Sequence, residues 1–246
     1  MGDKYESKSL SAFAESFRTA VALVVQADPV LRRTVVLSLG VSASACAIAA
    51  GLGLAGGAWL AVARFRGRRA LLTLLNTLLA LPSVVVGLFV YLMLSRSGPL
   101  GDWGILFTPS AMVIAQTILV LPIVTALAQQ LIADSLRDGG DQLRSMGAAP
   151  FTGALLMLVH ERWAAGTILL TAFGRAVSEV GAVMIVGGNI DGVTRVITTT
   201  IALETSKGDL PLALALGIVL LSVVALINGL IALISHGRGV PAVEWR

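Results

Sequence analysis

The 246-residue sequence predicts an all-α fold, a polytopic membrane helical bundle of five transmembrane helices preceded by an N-terminal interfacial helix. The first observation is composition, because 56% of the residues are hydrophobic and only 13% are charged. A water-soluble domain of this size could not bury so much apolar surface. The second is five apolar runs that are each long enough to cross about 30 Å of hydrocarbon. In lipid such runs must be helices, because open strands would leave backbone polar groups unpaired.

The predicted spans lie near residues 35–63, 71–94, 107–132, 164–187 and 211–234. Residues 10–27 differ, because Glu15 and Arg18 interrupt them and their apolar residues recur on one face. This pattern predicts an amphipathic helix lying in the membrane interface, with a sixth span as the alternative. The chain is therefore divided into an N-terminal segment 1–33, a transmembrane domain 34–236 and a tail 237–246.

The arginines predict the orientation of the spans. The loop "RFRGRR" at 64–69 contains four arginines and no acid, which is a strong cytoplasmic signal. Residues 133–163 and the C-terminal tail are then predicted inside, and residues 95–106 and 188–210 outside. Five spans place the N-terminus outside, but Arg32 and Arg33 count against this, so the side of the N-terminus stays open.

Two prolines and two glycines stand out within the predicted spans. Pro82 and Pro122 each follow a leucine, and a proline inside a helix removes one hydrogen bond and kinks it. Such kinks can shape and gate a path in a transporter, or serve packing alone. Gly53 and Gly57 form a GxxxG pattern for close helix approach, although a chain with 26 glycines also produces this pattern by chance.

The sequence predicts neither a catalytic residue nor a cofactor or metal site. It has no P-loop motif, and its two histidines, His160 and His236, are too few for a histidine metal cluster. The single cysteine, Cys46, can form no internal disulfide. The basic residues cluster at the ends of apolar runs, which is a topology signal and argues against nucleic acid as a partner.

The stretch "AFGRAVSEVGAVMIVGGN" at 172–189 places Arg175 and Glu179 inside an apolar run. An unpaired charge in the bilayer is costly, but residues i and i+4 share a helix face and can neutralise each other. Ser178 lies beside them and could add a hydrogen bond. One reading is a structural ion pair that holds the bundle in register. The other is that Arg175 lines a translocation path for an anion while Glu179 orients it.

The predicted cytoplasmic region 133–163 is polar and about thirty residues long, whereas a helix connection needs only a few. Its spacing predicts a short amphipathic helix, a turn at residues 147–150 and a second helix. Excess ordered length on the cytoplasmic face is typical of a docking element.

The same region resembles the EAA loop of ABC importer permeases. Asp141, Gln142 and Leu143 are followed after three residues by Gly147, and nine residues later by Met157 to His160. Asp141 stands for the usual glutamate, Gln142 and Leu143 replace alanines, and His160 replaces the usual proline. The resemblance implies a coupling helix that sits in a cleft of a cytoplasmic ATPase.

The segment "FGRAVSEVGAVMIVGGNIDG" closely resembles permease subunits of tungstate importers, as do "LLNTLLALPSVVVGLFVYLMLSRSGPLG" and "LFTPSAMVIAQTILVLPI". The resemblance covers residues 30–235 and implies the type I, MetI-like ABC permease fold. It also implies a homodimer in the cytoplasmic membrane of a bacterium or archaeon, a separate ATPase that hydrolyses ATP, and an extracytoplasmic oxyanion-binding protein. The chain itself is then a transport subunit and not an enzyme.

Two alternatives remain open at this stage. A molybdate or sulfate permease shares the looser "RA…E.GA…GGN" core, and these anions share charge and tetrahedral shape with tungstate. An ion-coupled secondary transporter or a membrane scaffold would need no ATPase.

Beyond the last helix residues, Gly187, Gly188 and Asn189 predict a helix end and a left-handed turn. The polar segment 191–209 after them predicts a short re-entrant or surface helix on the outer side, and its position and the resemblance to the family imply that the binding protein docks there.

Overall fold

The computed structural model describes residues 17–19, 21–22 and 29–236, and every regular element in these residues is helical. The predicted interfacial helix at 10–27 falls mostly outside the described residues, as does the tail 237–246. From residue 29 onward the α-helices are α1 (Pro29–Val62), α2 (Arg68–Leu78), α3 (Ser83–Leu94), α4 (Pro109–Ser145), α5 (Pro150–His160), α6 (Arg162–Val177), α7 (Gly181–Gly187), α8 (Ile197–Lys207) and α9 (Leu210–His236). A 3-10 turn, Gly101–Trp103, lies between α3 and α4.

Three of these helices, α1, α4 and α9, are long and apolar enough to cross a membrane without interruption. The helices α2 and α3 form a pair bent by 102°, and α6 and α7 form a pair bent by 57°. If each bent pair is one span, the total is the five predicted from the sequence. The prediction that 71–94 and 164–187 are continuous helices is wrong, because both are broken.

Pro82 lies in the first break and not inside a helix. It is the residue before α3, with φ −65° and ψ 125°, and its carbonyl accepts from the amides of Val85 and Val86. A proline disfavours the α region for the preceding residue, which fits the helix ending at Leu78, before Leu81. The predicted kink at Pro82 is therefore a full break. Pro122, by contrast, is buried within α4, where it was predicted.

α1 and α4 form the most extensive helix pair, and glycines make their close approach possible. A Cβ atom built on Gly57 would lie 2.7 Å from Ala128 Cβ and 2.9 Å from the Thr125 carbonyl oxygen. One built on Gly53 would lie 2.8 Å from Val124 Cγ1. The GxxxG pattern thus marks the packing face, because any side chain at these positions would push the two backbones apart.

The helix α4 is longer than a membrane requires. Its 37 residues extend about 55 Å, against about 30 Å of hydrocarbon. The short amphipathic helix predicted after residue 133 is the continuation of this span, with no break between them. α4 therefore extends past the predicted span 107–132, and α5 packs back against its last turns and against the end of α1.

Candidate functional site

The break between α6 and α7 holds the predicted ion pair. α6 ends at Val177, and Glu179 lies past its end, in the bend that precedes Gly181. Arg175 Nη1 donates to Glu179 Oε2 at 2.6 Å. The structure thus brings the two charges together, although they do not share one helix as the spacing predicted.

Glu179 is buried, with 3% of its side chain exposed, and it connects several elements. Its Oε1 accepts from the Ala182 amide at 3.1 Å, and the Ser83 side chain adds a further hydrogen bond to the carboxylate. Its backbone carbonyl accepts from Thr198 Oγ1 at 2.8 Å. One residue therefore joins the beginnings of α3, α7 and α8.

The two broken spans meet at their breaks. A Cβ atom built on Gly87 of α3 would lie 2.7 Å from Ala182 Cα, and one on Gly181 would lie 2.9 Å from Ser83 Oγ. Neither glycine can take a side chain without moving α3 from α7. The amides at the beginning of a helix lack partners within it, and a carboxylate at that end also stabilises the helix dipole. Glu179 supplies such a carboxylate for α7, and its Oε1 accepts from the Ala182 amide.

Arg175 is arranged differently from Glu179, because 39% of its side chain is exposed. It lies thirteen residues after Arg162, the first residue of α6, which is about 20 Å along the helix and so within the hydrocarbon region. Ser178 Oγ donates to the backbone carbonyl of Arg175 at 3.2 Å and does not contact the ion pair's side chains. A half-exposed guanidinium at this depth cannot face lipid cheaply, and its five N–H donors suit an anion.

Gln116 is a residue of this region that the sequence analysis did not identify. It is 4% exposed, and its Nε2 donates to the Ala176 carbonyl at 3.0 Å, close to the end of α6. Its Oε1 is buried without a partner among the described residues. Neither this contact nor those of Ser83 and Thr198 has a signal in the sequence, because each depends on helices that are distant in the chain.

A second candidate site is the helical hairpin formed by the end of α4, the turn after it and α5. Gly147 has φ 81°, its amide donates to the Arg144 carbonyl, and the Ala148 amide donates to the Leu143 carbonyl. These bonds are a Schellman motif, the helix ending that favours glycine because the backbone is left-handed there. The turn predicted at 147–150 is confirmed, and Pro150 begins α5.

The predicted coupling residues face two ways in this hairpin. Leu143 packs against Gly153, and Met157 contacts Ser135 and lies against Gly139, so Leu143 and Met157 hold α5 to α4. Asp141, Gln142 and His160 are exposed. The exposed surface of α5 is nonetheless apolar and includes Phe151, Leu155, Leu156 and Val159.

The connection between α7 and α8, which is predicted to lie outside, is a turn fixed by side-chain hydrogen bonds. Gly188 has φ 69° and Asn189 φ 50°, which confirms the predicted left-handed turn after α7. The buried Thr194 hydroxyl donates to the Gly187 carbonyl at 2.5 Å and accepts from the Ile190 amide at 3.0 Å. The helix α8 follows, so the polar outer segment forms a short helix as predicted. Its docking role stays a prediction.

Broken spans, an intramembrane ion pair at one break and a long helical hairpin beyond the bilayer define a membrane transport subunit. No protein-family model matches the chain. It is 44% identical to the tungstate uptake system permease protein of Peptoclostridium acidaminophilum over 222 residues, 89% of this chain and 96% of that protein. It is 41% identical to the tungstate uptake system permease protein of Campylobacter jejuni over 67% of this chain and 69% of that protein.

A protein of Haloferax volcanii described as an anion ABC transporter permease is 42% identical over 79% of this chain and 86% of its own length. Permease proteins of molybdenum and sulfate transport systems are more distant, at 32% identity. The chain therefore belongs to the family of tungstate uptake permeases, within the ABC transporter permeases of anions. It is a multi-pass membrane transport subunit and not an enzyme.

Proposed function

We propose that the chain is the permease subunit of an ATP-driven importer that moves tungstate into the cell. The observation that supports this most is the 44% identity to a tungstate permease over nearly the whole length of both chains. The aligned part of this chain includes the helix break with Arg175 and the hairpin predicted to be cytoplasmic. In this proposal the binding affinity for tungstate belongs to an extracytoplasmic binding protein, and ATP hydrolysis belongs to a separate ATPase.

The hairpin is the proposed contact with the ATPase. α5 is apolar on the surface that it does not bury against α4, with Leu156 49% and Val159 64% exposed. It packs alongside the last turns of α4, which extend past the predicted span 107–132, so in this proposal its exposed surface lies on the cytoplasmic side. Exposed apolar side chains on a short, rigidly held helix fit the helix-in-groove mode of recognition. Asp141, Gln142 and His160 form the polar edge of this surface.

Arg175 is the proposed path residue. Glu179 holds one nitrogen of its guanidinium, and the exposed part of the fork is free to face a water-filled route between this chain and a second copy of it. The pair has no net charge, which suits a path that must release its cargo. The homodimer, and a surrounding shell of membrane lipid on the apolar helix faces, belong to the same proposal.

The alternative cargoes are molybdate and sulfate, since the chain also resembles permease proteins for molybdenum and sulfate transport. All three anions are tetrahedral dianions, and a path that relies on charge would discriminate weakly between them. The test is ATP hydrolysis by the complex of permease, ATPase and binding protein, compared with tungstate, molybdate and sulfate. If tungstate stimulates ATP hydrolysis most strongly, the proposal is supported. If only molybdate or sulfate stimulates it, that anion is the cargo and tungstate is not.

The docking proposal has its own test. The variant with Leu156→Asp and Val159→Asp should retain less than about a tenth of the ATPase in co-purification, because charges would replace the apolar anchor. The control is Ser206→Asp, an exposed position of α8 at the predicted outer end, which should retain the wild-type amount. Equal ATPase binding by wild type and the α5 variant would refute docking through α5. Absence of any ATPase binding by the wild type would favour a secondary transporter or scaffold.

A further inference from the structure

A small cleft on the predicted outer side contains two arginines that the proposed function has not used. Its volume is about 340 Å³. The lining residues are Pro29, Arg33, Thr34, Leu37, Asp191, Gly192 and Arg195. Among the described residues of this lining, two guanidinium groups against one carboxylate leave a net positive charge.

Arg195 has a hydrogen-bond donor with no acceptor. Its Nη1 pairs with Asp191 Oδ1 at 3.2 Å, but its Nε is buried and has no partner among the described residues. Three quarters of the Arg195 side chain is buried, whereas 72% of Asp191 is exposed. A buried donor without a partner is costly, so Arg195, which lines the cleft, has an unmet hydrogen-bonding requirement.

The loop that presents Arg195 is rigid. The Arg195 amide donates to the Ile190 carbonyl at 3.0 Å, and the buried Thr194 hydroxyl donates to the Gly187 carbonyl at the end of α7. Gly192, with φ 70°, lies in this turn, and a Cβ atom built on it would lie 3.7 Å from Arg33 Nη1. Arg33, on the first turns of α1, therefore faces the turn, and it makes no ion pair within the part of the chain that the structure describes.

We infer that Arg33 and Arg195 form an entry site that binds one tetrahedral oxyanion at the outer mouth of the permease. The fork of a guanidinium matches two oxygens of such an anion, and these charge-assisted bonds are strong. Asp191 competes with the anion for Arg195, and its exposure lets it turn toward water when the anion binds. The same chemistry fits a lipid headgroup phosphate, so the test separates free anion from lipid.

This inference rests on the proposed import of an oxyanion, but its test measures binding. Delipidated permease–ATPase complex without binding protein is dialysed against inorganic tungstate or phosphate, and the bound anion is counted by elemental mass spectrometry. We expect one anion per chain. Arg33→Gln and Arg195→Gln should each raise the dissociation constant about tenfold or more. Arg96→Gln, an exposed arginine of the predicted outer loop, should leave it unchanged.

The variant Asp191→Asn distinguishes an anion-binding site from a purely structural Arg195–Asp191 ion pair. Arg195→Gln and Asp191→Asn both break the pair, so a structural role predicts the same effect from both. The entry site predicts opposite effects, weaker binding for Arg195→Gln and tighter binding for Asp191→Asn. Displacement of the anion by added phosphatidylglycerol would support the site and identify lipid phosphate as a second ligand.

Two results would overturn the inference: no anion bound by the wild type, or equal shifts for Arg195→Gln and Asp191→Asn. The proposed function fails separately, through an absence of tungstate transport.

Discussion

Glu179 has the largest number of structural roles among the ionisable residues of the described spans. Its carboxylate binds Arg175 and the Ala182 amide, and its carbonyl binds Thr198. All three contacts are made from the bend, where the Glu179 amide itself donates to the Ala176 carbonyl at 3.2 Å. At the residue scale, we propose that Glu179 is a positioning residue and that Arg175 is the group available to cargo.

The residue-scale prediction uses the single variants Arg175→Gln and Glu179→Gln and the double variant that contains both. Each single change leaves one charge without its partner, so each should destabilise the complex by about 1–3 kcal/mol, less than a fully buried pair because Arg175 is half-exposed. The double variant leaves no charge and should regain most of the stability. The measurement is thermal unfolding of the purified complex.

Uptake distinguishes the two interpretations of the pair. If Arg175 contacts the anion, the double variant assembles normally but transports tungstate at least about tenfold more slowly, since a donor to the anion is missing. Normal uptake by a normally assembled double variant would mean that the pair is structural only.

The sequence predicted the Arg175–Glu179 ion pair but not the residues that surround it. The i, i+4 spacing identified Arg175 and Glu179, because opposite charges in an apolar run must meet. It could not identify Ser83 or Thr198, which are hydroxyl residues of ordinary appearance in helices remote in sequence. Their importance arises only when α3 and α8 are packed against the bend.

At the scale of elements, the glycine face of α1 explains how the longest helices come together. Gly57 is buried against Thr125 and Ala128 of α4, whereas Gly51 of the same helix is exposed with nothing within 4 Å of a built Cβ. The two glycines therefore provide a matched pair for substitution by alanine.

Gly57→Ala should lower the stability of the complex by about 1–3 kcal/mol, because the added methyl group overlaps α4. Gly51→Ala should raise it by up to about 1 kcal/mol, because alanine is the better helix former. Thermal unfolding of the two variants in the same detergent is the measurement. Equal shifts would show that α1 and α4 do not pack closely at Gly57.

The positions of the spans were predictable, but their continuity was not. Hydropathy measures how apolar a segment is over a window of residues, so it does not detect a break inside an apolar run. Pro82 did mark the first break, but a proline alone does not distinguish a kink from an end. The second break, at Ser178 to Val180, depends on hydrogen bonds from other helices. The turn at Gly147 was predictable because its signal is local.

At the scale of the whole molecule, the described chain has three candidate features at different levels of the predicted topology. An arginine cleft lies at the predicted outer end, the Arg175–Glu179 break lies within the spans, and the α4–α5 hairpin lies beyond the predicted inner end. The apolar runs and the "RFRGRR" loop were enough to predict the levels of the ion pair and of the hairpin. They could not predict the cleft, because Arg33 and Arg195 are brought together only by the packing of α1 against the outer turn.

The most direct test of the account is ATP-driven uptake of tungsten into proteoliposomes that contain the permease, the ATPase and the binding protein. The account predicts accumulation inside the vesicles that requires ATP hydrolysis on the side of the α4–α5 hairpin. It also predicts that Leu156→Asp with Val159→Asp abolishes this accumulation while the permease remains folded. Accumulation that proceeds without the ATPase, or that persists in this variant, would contradict the account.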